Sequence, residues 1–328
     1  MYKIFVTREI PDEGIKLLKA DKRIKLEIYE KDKQIPRREL LKRVKDKDII
    51  LSILTERIDD EVFNAAGPQL KMVANYAVGF DNVDLVEAKK RGIAVTNTPS
   101  EQISESVAEH TIAFMFSLAK RICEADRFTR AGKYKAWGPK LLLGTDFYGK
   151  TVGIIGTGRI GSGVVHRLHD GFNMKILYND IKRNPQLEKE TSAKFRTLEQ
   201  LLKESDFVSL HVPLSPSTRH LISSKQFKMM KKTAFLINTA RGPIIDEKAL
   251  VKALSKKEIA GVGLDVYECE PMIDCDPKDN LDLREMDNVV LTPHTASATL
   301  ETRQEMSRLA AENILMFING KTPKNIVR

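Results

Sequence analysis

The sequence predicts an α/β protein made of two doubly wound parallel sheets. Three observations carry this. Short apolar, β-rich runs alternate with amphipathic helical stretches almost from end to end, and strands alternating with helices pack as parallel sheets with crossover helices. The alternation runs twice, on either side of a long helical stretch and a looser segment within residues 101–150. A chain of 328 residues also suits about two domains at roughly 150 residues each. Right-handed crossovers put helices on both faces of such sheets.

In the first half, residues 3–7 and 26–28 read as strands around a helix at 12–19. The apolar run 49–53 is of buried-strand type. A helix at 60–66 leads to a strand at 71–74. A helix at 85–90 stops at Gly92 before a strand at 93–96. Residues 101–131 read as one long helix, with apolar positions Val107, Ala108, Thr111, Ile112, Met115, Leu118 and Ala119. Residues 132–150 are looser and hold the single tryptophan, Trp137. In the second half, strands are expected at 151–155, 175–178, 207–210, 234–237, 259–262 and 289–291. Thr197-Leu198-Glu199-Gln200 and Ser223-Ser224-Lys225-Gln226 have the form of capping boxes that open helices. A closing helix is expected at 299–319.

Composition narrows the function classes. At 42% hydrophobic and 30% charged, the chain is of globular type and not disordered. No apolar run reaches the 18 or so residues that a membrane span needs. The net charge of +9 is spread along the chain and interleaved with acids, as in Lys45-Asp46-Lys47-Asp48. It therefore reads as a lysine-rich surface that attracts anionic substrates, not as a nucleic-acid site. The N-terminal residues enter a strand at once, without the form of a secretory leader, so the expected location is cytoplasmic. The cysteines are Cys123, Cys269 and Cys275. An odd count without C-x-x-C suggests neither a disulfide framework nor a zinc site. Cys269 and Cys275 lie among Asp274, Asp276 and Asp279, a polar loop, and no metal is expected.

Gly156-Thr157-Gly158-Arg159-Ile160-Gly161 follows one expected strand and opens a helix. Gly156 permits the tight turn, Gly158 lets the backbone approach a pyrophosphate, and Gly161 lets the helix pack close to the sheet. The helix N-terminus offers N–H groups and a partial positive charge to the pyrophosphate. Asp180 ends the next strand, 19 residues after the last glycine. It suits the adenosine ribose hydroxyls and repels a 2′-phosphate, so NAD is expected before NADP, although Lys182 and Arg183 follow.

Arg241, Glu270 and His294 each stand just beyond an expected strand, in Asn238-Thr239-Ala240-Arg241-Gly242, Gly263–Pro271 and Pro293-His294. Open α/β sheets bind ligands at those ends. A guanidinium can hold a carboxylate by two parallel hydrogen bonds. An imidazolium can protonate a carbonyl oxygen as hydride reaches the carbon, and a neighbouring carboxylate orients it and favours its charged form.

These motifs, with Ser209-Leu210-His211-Val212-Pro213-Leu214, resemble those of the D-isomer-specific 2-hydroxyacid dehydrogenase family over nearly the whole chain, and within it the glyoxylate/hydroxypyruvate reductases. The resemblance implies that Arg241 holds the substrate carboxylate, His294 is the acid/base and Glu270 orients it. It implies NAD contacts at Arg159, Ile160, Asp180, Val212, Pro213, Thr218, Thr239, Ala240, Arg241, Asp265, His294 and Ala296, beside the three glycines. After the histidine this chain reads Thr295-Ala296-Ser297, where the family has I-G-(S/G). The resemblance implies a flavodoxin-like substrate domain, residues 1–99 with 295–328, and a Rossmann domain, residues 100–294, with a cleft between them. A dimerisation arm at about 104–150 implies a homodimer, with Trp137 reaching the partner's substrate site or serving as a core or interface anchor.

The loop Asn75-Tyr76-Ala77-Val78-Gly79-Phe80-Asp81-Asn82-Val83-Asp84 resembles that of glyoxylate and hydroxypyruvate reductases. There the N–H groups of Val78 and Gly79 would bind the substrate carboxylate, and Leu54 would form an apolar wall. The expected partner is thus a small 2-oxo or D-2-hydroxy acid. Two alternatives use the same scaffold: an NAD-sensing interaction protein without turnover, and a phosphoglycerate dehydrogenase.

Overall fold

The computed structural model describes residues 1–273 and 283–327. The chain divides into two compact units, Met1–Ile103 with Ala298–Arg328, and Ser104–Ser297.

The first unit opens with β1 (Tyr2–Val6), α1 (Asp12–Ala20), β2 (Ile24–Ile28), α2 (Arg37–Arg43) and β3 (Ile49–Ile53). It continues with α3 (Asp60–Ala66), β4 (Met72–Tyr76), α4 (Leu85–Lys90) and β5 (Ala94–Thr96). All five strands are parallel, in the order β2-β1-β3-β4-β5. That is the flavodoxin-like order of a doubly wound sheet. Ile4, Phe5, Val6, Ile49, Ile50 and Leu51 are wholly buried, as expected where helices cover both faces. Asp59 and Asp84 cap α3 and α4 by accepting the Val62 and Glu87 N–H groups, satisfying donors that a helix start leaves open. Helix α2 is not foreseen in the sequence, because it buries only Leu40 and so carries almost no apolar period.

The second unit takes in most of α5 (Glu101–Ala119) and continues with α6 (Ile122–Arg130). The single helix expected over 101–131 is therefore two. Arg121 between them takes a left-handed backbone, φ +54°. The Ala119 carbonyl accepts the Thr145 N–H at 2.8 Å, so the returning 132–150 segment docks on the end of α5 and stops it.

Next come β6 (Thr151–Ile155), α7 (Arg159–Phe172), β7 (Lys175–Asn179), α8 (Pro185–Thr191), β8 (Lys194–Phe195), α9 (Leu198–Glu204) and β9 (Phe207–Leu210). They are followed by α10 (Ser224–Phe227), β10 (Phe235–Asn238), α11 (Glu247–Ser255), β11 (Gly261–Leu264) and β12 (Val289–Leu291). The seven strands are ordered β12-β11-β10-β9-β6-β7-β8, all parallel. The order reverses between β6 and β9, the switch point at which such sheets bind ligands. Leu236 and Ile237, adjacent on β10, enter separate cores on the two faces of the sheet. Strand β11 lies two residues beyond its expected place; its glycines weaken the strand signal, and Gly263 sits directly against the Phe114 ring of α5. Thr197 and Gln200 form the expected capping box. At Ser223 the Gln226 side chain caps the N–H, while the hydroxyl donates to Asp246.

Helix α12 (Leu300–Ile318) returns to the first unit. Ser307 on it accepts the Gly14 N–H at 3.0 Å, and the Arg303 carbonyl accepts the Tyr76 hydroxyl at 2.9 Å. Among the described residues no helix is long and apolar enough to cross a membrane. Cys123 is a free thiol. Cys269 is disulfide-bonded, a bond the sequence reading does not expect, because counting cysteines speaks to frameworks and not to a single bridge. The polar loop with Asp274, Cys275, Asp276 and Asp279 lies outside the described residues.

Candidate active site

In the second unit the functional candidates sit on the loops beyond the carboxyl ends of β6, β7, β9, β10, β11 and β12. The glycine turn after β6 is packed to its limit. Gly156 has φ +94°, and a Cβ there would lie 2.6 Å from the His211 carbonyl oxygen. A Cβ on Gly161 would lie 2.0 Å from the Gly156 oxygen, whereas one on Gly158 would meet nothing within 4 Å. The turn is thus closed toward the protein and open on the side where Gly158 begins α7, whose first N–H groups have no partner within the helix. This fits a pyrophosphate.

Asp180, at the tip of β7, braces the same turn. Its Oδ2 accepts the Thr157 N–H at 2.7 Å and the Thr157 hydroxyl at 3.0 Å, and its Oδ1 accepts the Ile181 N–H at 2.7 Å. A carboxylate has about four acceptor positions, so one remains for a ribose hydroxyl. Of the two cations that follow, Lys182 and Arg183, the second is held by Glu188 through two bonds of 3.0 and 2.8 Å. The donor set therefore fits NAD.

After β9, the Val212 side chain lies against Gly156. Beyond it, the Thr218 hydroxyl donates to the Pro213 carbonyl at 2.6 Å and accepts the Ser215 N–H, closing the 213–218 turn. After β10, Asn238 binds its own loop: its amide donates to the Arg241 carbonyl at 2.8 Å, and its Oδ1 accepts the Ala240 N–H at 3.0 Å. Such an asparagine clamp fixes the turn that presents Arg241. The Arg241 guanidinium donates to the Ala240 carbonyl at 2.8 Å. The Thr239 hydroxyl is buried and shared with Thr111 at 2.9 Å.

The structure brings Glu270 and His294 together. His294 Nδ1 lies 2.9 Å from Glu270 Oε2, and Glu270 Oε1 accepts the Tyr267 N–H at 3.0 Å. Burial pushes the Glu270 carboxyl up, but His294, the Tyr267 N–H and the Arg241 charge outweigh it and hold the group below the ordinary glutamate range. With Nδ1 facing the carboxylate, Nε2 is the ring atom left to exchange a proton.

His294 has φ +57°, a left-handed backbone uncommon outside glycine. Asp265 is what holds it there. Its carbonyl accepts the His294 N–H at 2.9 Å. Its buried carboxylate accepts the Thr292 hydroxyl at 2.5 Å and the Thr295 and Ala296 N–H groups at 2.7 and 2.8 Å. His110 lies 3.8 Å away and hydrogen-bonds Thr292; burial outweighs the pull of Asp265 and leaves it below the usual histidine range. The roles of Thr111, His110 and Thr292 are not foreseen in the sequence, and Asn238 appears there only within the segment that carries Arg241. The position of Asn238 at a strand's last residue is the available signal.

Leu54, Val78 and Gly79 lie in the first unit. Asn75, wholly buried, donates to the Gly79 carbonyl and to Asn82 at 3.0 Å each. Asn82 in turn donates to the Ile53 and Glu56 carbonyls. Among the described residues the Val78 and Gly79 N–H groups have no acceptor. The loop thus offers a pair of backbone donors.

Residues 112–296 match the family model "D-isomer specific 2-hydroxyacid dehydrogenase, NAD binding domain". The chain belongs to that family. The dehydrogenase is 49% identical to a glyoxylate reductase of Thermococcus kodakarensis, over 99% of this chain and 96% of that one. It superposes on the TT0316 protein from Thermus thermophilus with a TM-score of 0.91 at 39% identity, covering 99% and 100% of the two chains. It superposes on a D-lactate dehydrogenase from Aquifex aeolicus, solved with NAD and lactic acid, with a TM-score of 0.86 at 32% identity, covering 99% and 98%. It is an NAD-dependent oxidoreductase acting on a 2-hydroxy or 2-oxo acid.

Proposed function

We propose that this dehydrogenase reduces a small 2-oxo acid, glyoxylate or hydroxypyruvate, to the D-2-hydroxy acid. The His294–Glu270 pair at 2.9 Å carries the chemical part of this reading. The relatives named glyoxylate reductases support the substrate.

In this reading Arg241 holds the substrate carboxylate through its guanidinium, and the Val78 and Gly79 N–H groups provide further donors to it. Leu54 bounds the small side chain. Bound NADH supplies the hydride that reaches the carbonyl carbon. His294 would give its Nε2 proton to the carbonyl oxygen, so the product leaves as a 2-hydroxy carboxylate with an uncharged hydroxyl, and the imidazole must be reprotonated before the next turnover. Glu270 keeps the ring aimed and balances its charge. Gly156, Gly158, Arg159, Ile160, Gly161, Asp180, Val212, Pro213, Thr218, Thr239, Ala240, Asp265 and Ala296 form the NAD cradle, with Asp265 acting through the His294 loop. Residues 1–99 with 295–328 serve as the substrate domain and residues 100–294 as the NAD domain.

The dehydrogenase works as a homodimer through the arm at about 104–150. Tyr134, Trp137, Leu143 and Tyr148, between 54% and 79% exposed, are the large apolar surfaces that such an interface covers.

The test is the loss of reduced-nicotinamide absorbance with glyoxylate, hydroxypyruvate, pyruvate and phosphohydroxypyruvate, each with NADH and NADPH. Fastest turnover with glyoxylate or hydroxypyruvate and NADH is expected. A preference for phosphohydroxypyruvate or pyruvate overturns the substrate assignment, and tight NADH binding without turnover of any of them overturns it too. Light scattering reports the mass of the assembly directly.

A further inference from the structure

Glu268 stands two residues before Glu270 and has no part in the reaction as set out above. It is nevertheless the point at which three loops meet. Its Oε1 lies 2.5 Å from Nε2 of His220, on the loop that also carries Thr218. Its Oε2 accepts the Glu247 N–H, and its own N–H donates to Glu247 Oε2, both at 3.2 Å. Glu247 opens α11, directly after the loop that carries Arg241. The two loops also touch through backbone: a Cβ on Gly242 would fall 1.9 Å from the Tyr267 carbonyl and 2.5 Å from the Glu268 nitrogen.

His220 is built in with some strain. Its backbone is left-handed, φ +52°, a conformation that costs a non-glycine residue free energy and persists only where its surroundings hold it. Its N–H donates to the Pro243 carbonyl at 2.8 Å while its ring faces Glu268. Within its own turn, among the described residues, Glu270 accepts the Tyr267 N–H. The aim of Glu270 therefore follows the placement of the 267–270 turn, which Glu268 helps to fix beside the Tyr267 hydroxyl's bond to the Thr292 carbonyl.

We propose that His220 and Glu268 are positioning residues, a second imidazole–carboxylate pair that ties the Thr218 and Arg241 loops to the 267–270 turn and thereby aims Glu270 at His294. This deepens the function proposed above and rests on it. It makes the loop of Thr218 and the turn of Glu270 two ends of one hydrogen-bonded connection.

The test is steady-state kinetics of the full-length protein with glyoxylate and NADH. The variants are His220→Ala, His220→Gln and Glu268→Ala, each alone and combined with Glu270→Gln. His220→Ala and Glu268→Ala should each lower kcat about tenfold, the scale on which a small misplacement acts, with both KM values within about twofold. His220→Gln, which keeps an N–H donor at similar reach, should recover most of the rate. In either alanine background Glu270→Gln should cost much less than in the parent, because the pair it breaks is already misaligned; such non-additivity marks a shared role. Parental kcat in His220→Ala, or losses strictly additive with Glu270→Gln, overturns the proposal. If His294→Ala is inactive while His220→Ala is unimpaired, this inference alone fails. If His294→Ala keeps its rate, the acid–base reading beneath it fails.

Discussion

The two units place their candidate groups at the same ends of their strands but with different chemistry. In the first unit, the loop after β4 presents backbone N–H groups, held by the amides of buried Asn75 and half-buried Asn82. In the second unit, the loops after β10, β11 and β12 present charged side chains, Arg241, Glu270 and His294, each fixed by a partner from its own or a neighbouring loop. A backbone donor cannot change its charge and depends on loop shape. A side chain can gain or lose a proton and depends on its neighbours. Substitutions should therefore fail differently: chemistry is lost at the acid–base pair of the second unit, and substrate binding at the loop of the first.

The largest effect separates them most sharply. His294→Ala should lower kcat by about 100- to 10,000-fold, the range for removing a general acid, while NADH still binds, as followed by nicotinamide fluorescence. A variant that keeps its rate would remove the acid–base role and, with it, the contrast between the units.

Glu270→Gln comes next, at roughly 10- to 100-fold in kcat. Its pH dependence carries a sign. The Glu270 carboxyl is held below the ordinary glutamate range in the folded protein. The contribution of its ion pair is therefore present above the unfolded glutamate value and is lost only as pH falls through the lowered folded value. The acid limb of kcat set by Glu270 should lie below the usual glutamate range. Glutamine should flatten that limb, which a pH–rate profile shows directly.

Asn82→Ala tests the first unit. It removes donors to the Ile53 and Glu56 carbonyls and to Asn75. The expected loss is about 1–3 kcal/mol of stability, the cost of leaving partly buried acceptors unpaired. Thermal melting reads that loss. KM for the oxo acid should rise severalfold, with kcat changed far less. An equal fall in kcat at unchanged KM would mean that this loop, too, takes part in the chemistry.

What the sequence reveals of this comparison follows from what spacing can express. The parallel strands were legible because buried strands read as apolar runs, and β3, β6, β9 and β12 lie where those runs lie. The glycine turn was legible because each glycine answers a steric need at a fixed offset. Arg241, Glu270 and His294 were legible as polar residues just beyond such runs. The amides that shape the first unit's loop were not. Asn82 works through hydrogen bonds to the Ile53 and Glu56 carbonyls far away in sequence, and Asn75 through bonds to Gly79 and Asn82 within the loop, and neither set leaves a period. The break between α5 and α6 was hidden for the same reason, since Thr145 decides it from outside the helix. Asp265 stood in a recognisable motif, yet its carboxylate proves to be taken up by the His294 loop.

A smaller effect sharpens the electrostatic side. Glu188 holds Arg183 by two bonds, so Glu188→Gln should free the guanidinium near the ribose end of the cofactor site. The NADH-to-NADPH preference, measured as a ratio of kcat/KM, should narrow by about threefold to tenfold, the scale of one exposed charge pair. An unchanged ratio would leave Asp180 as the sole source of discrimination.

The smallest effect is the most pointed. Val78 is 38% exposed, and in the proposed reading only its N–H matters. Val78→Ala keeps that donor and should leave kcat/KM for glyoxylate within about twofold, the usual range for a surface change. Val78→Pro deletes the donor and confines the backbone, and should raise KM by roughly tenfold or more, as for a lost charge-assisted hydrogen bond. If instead the alanine variant falls as far as the proline variant, the side chain carries the contact. The first unit would then work as the second does, by side chains, and the division between backbone binding and side-chain chemistry would be gone.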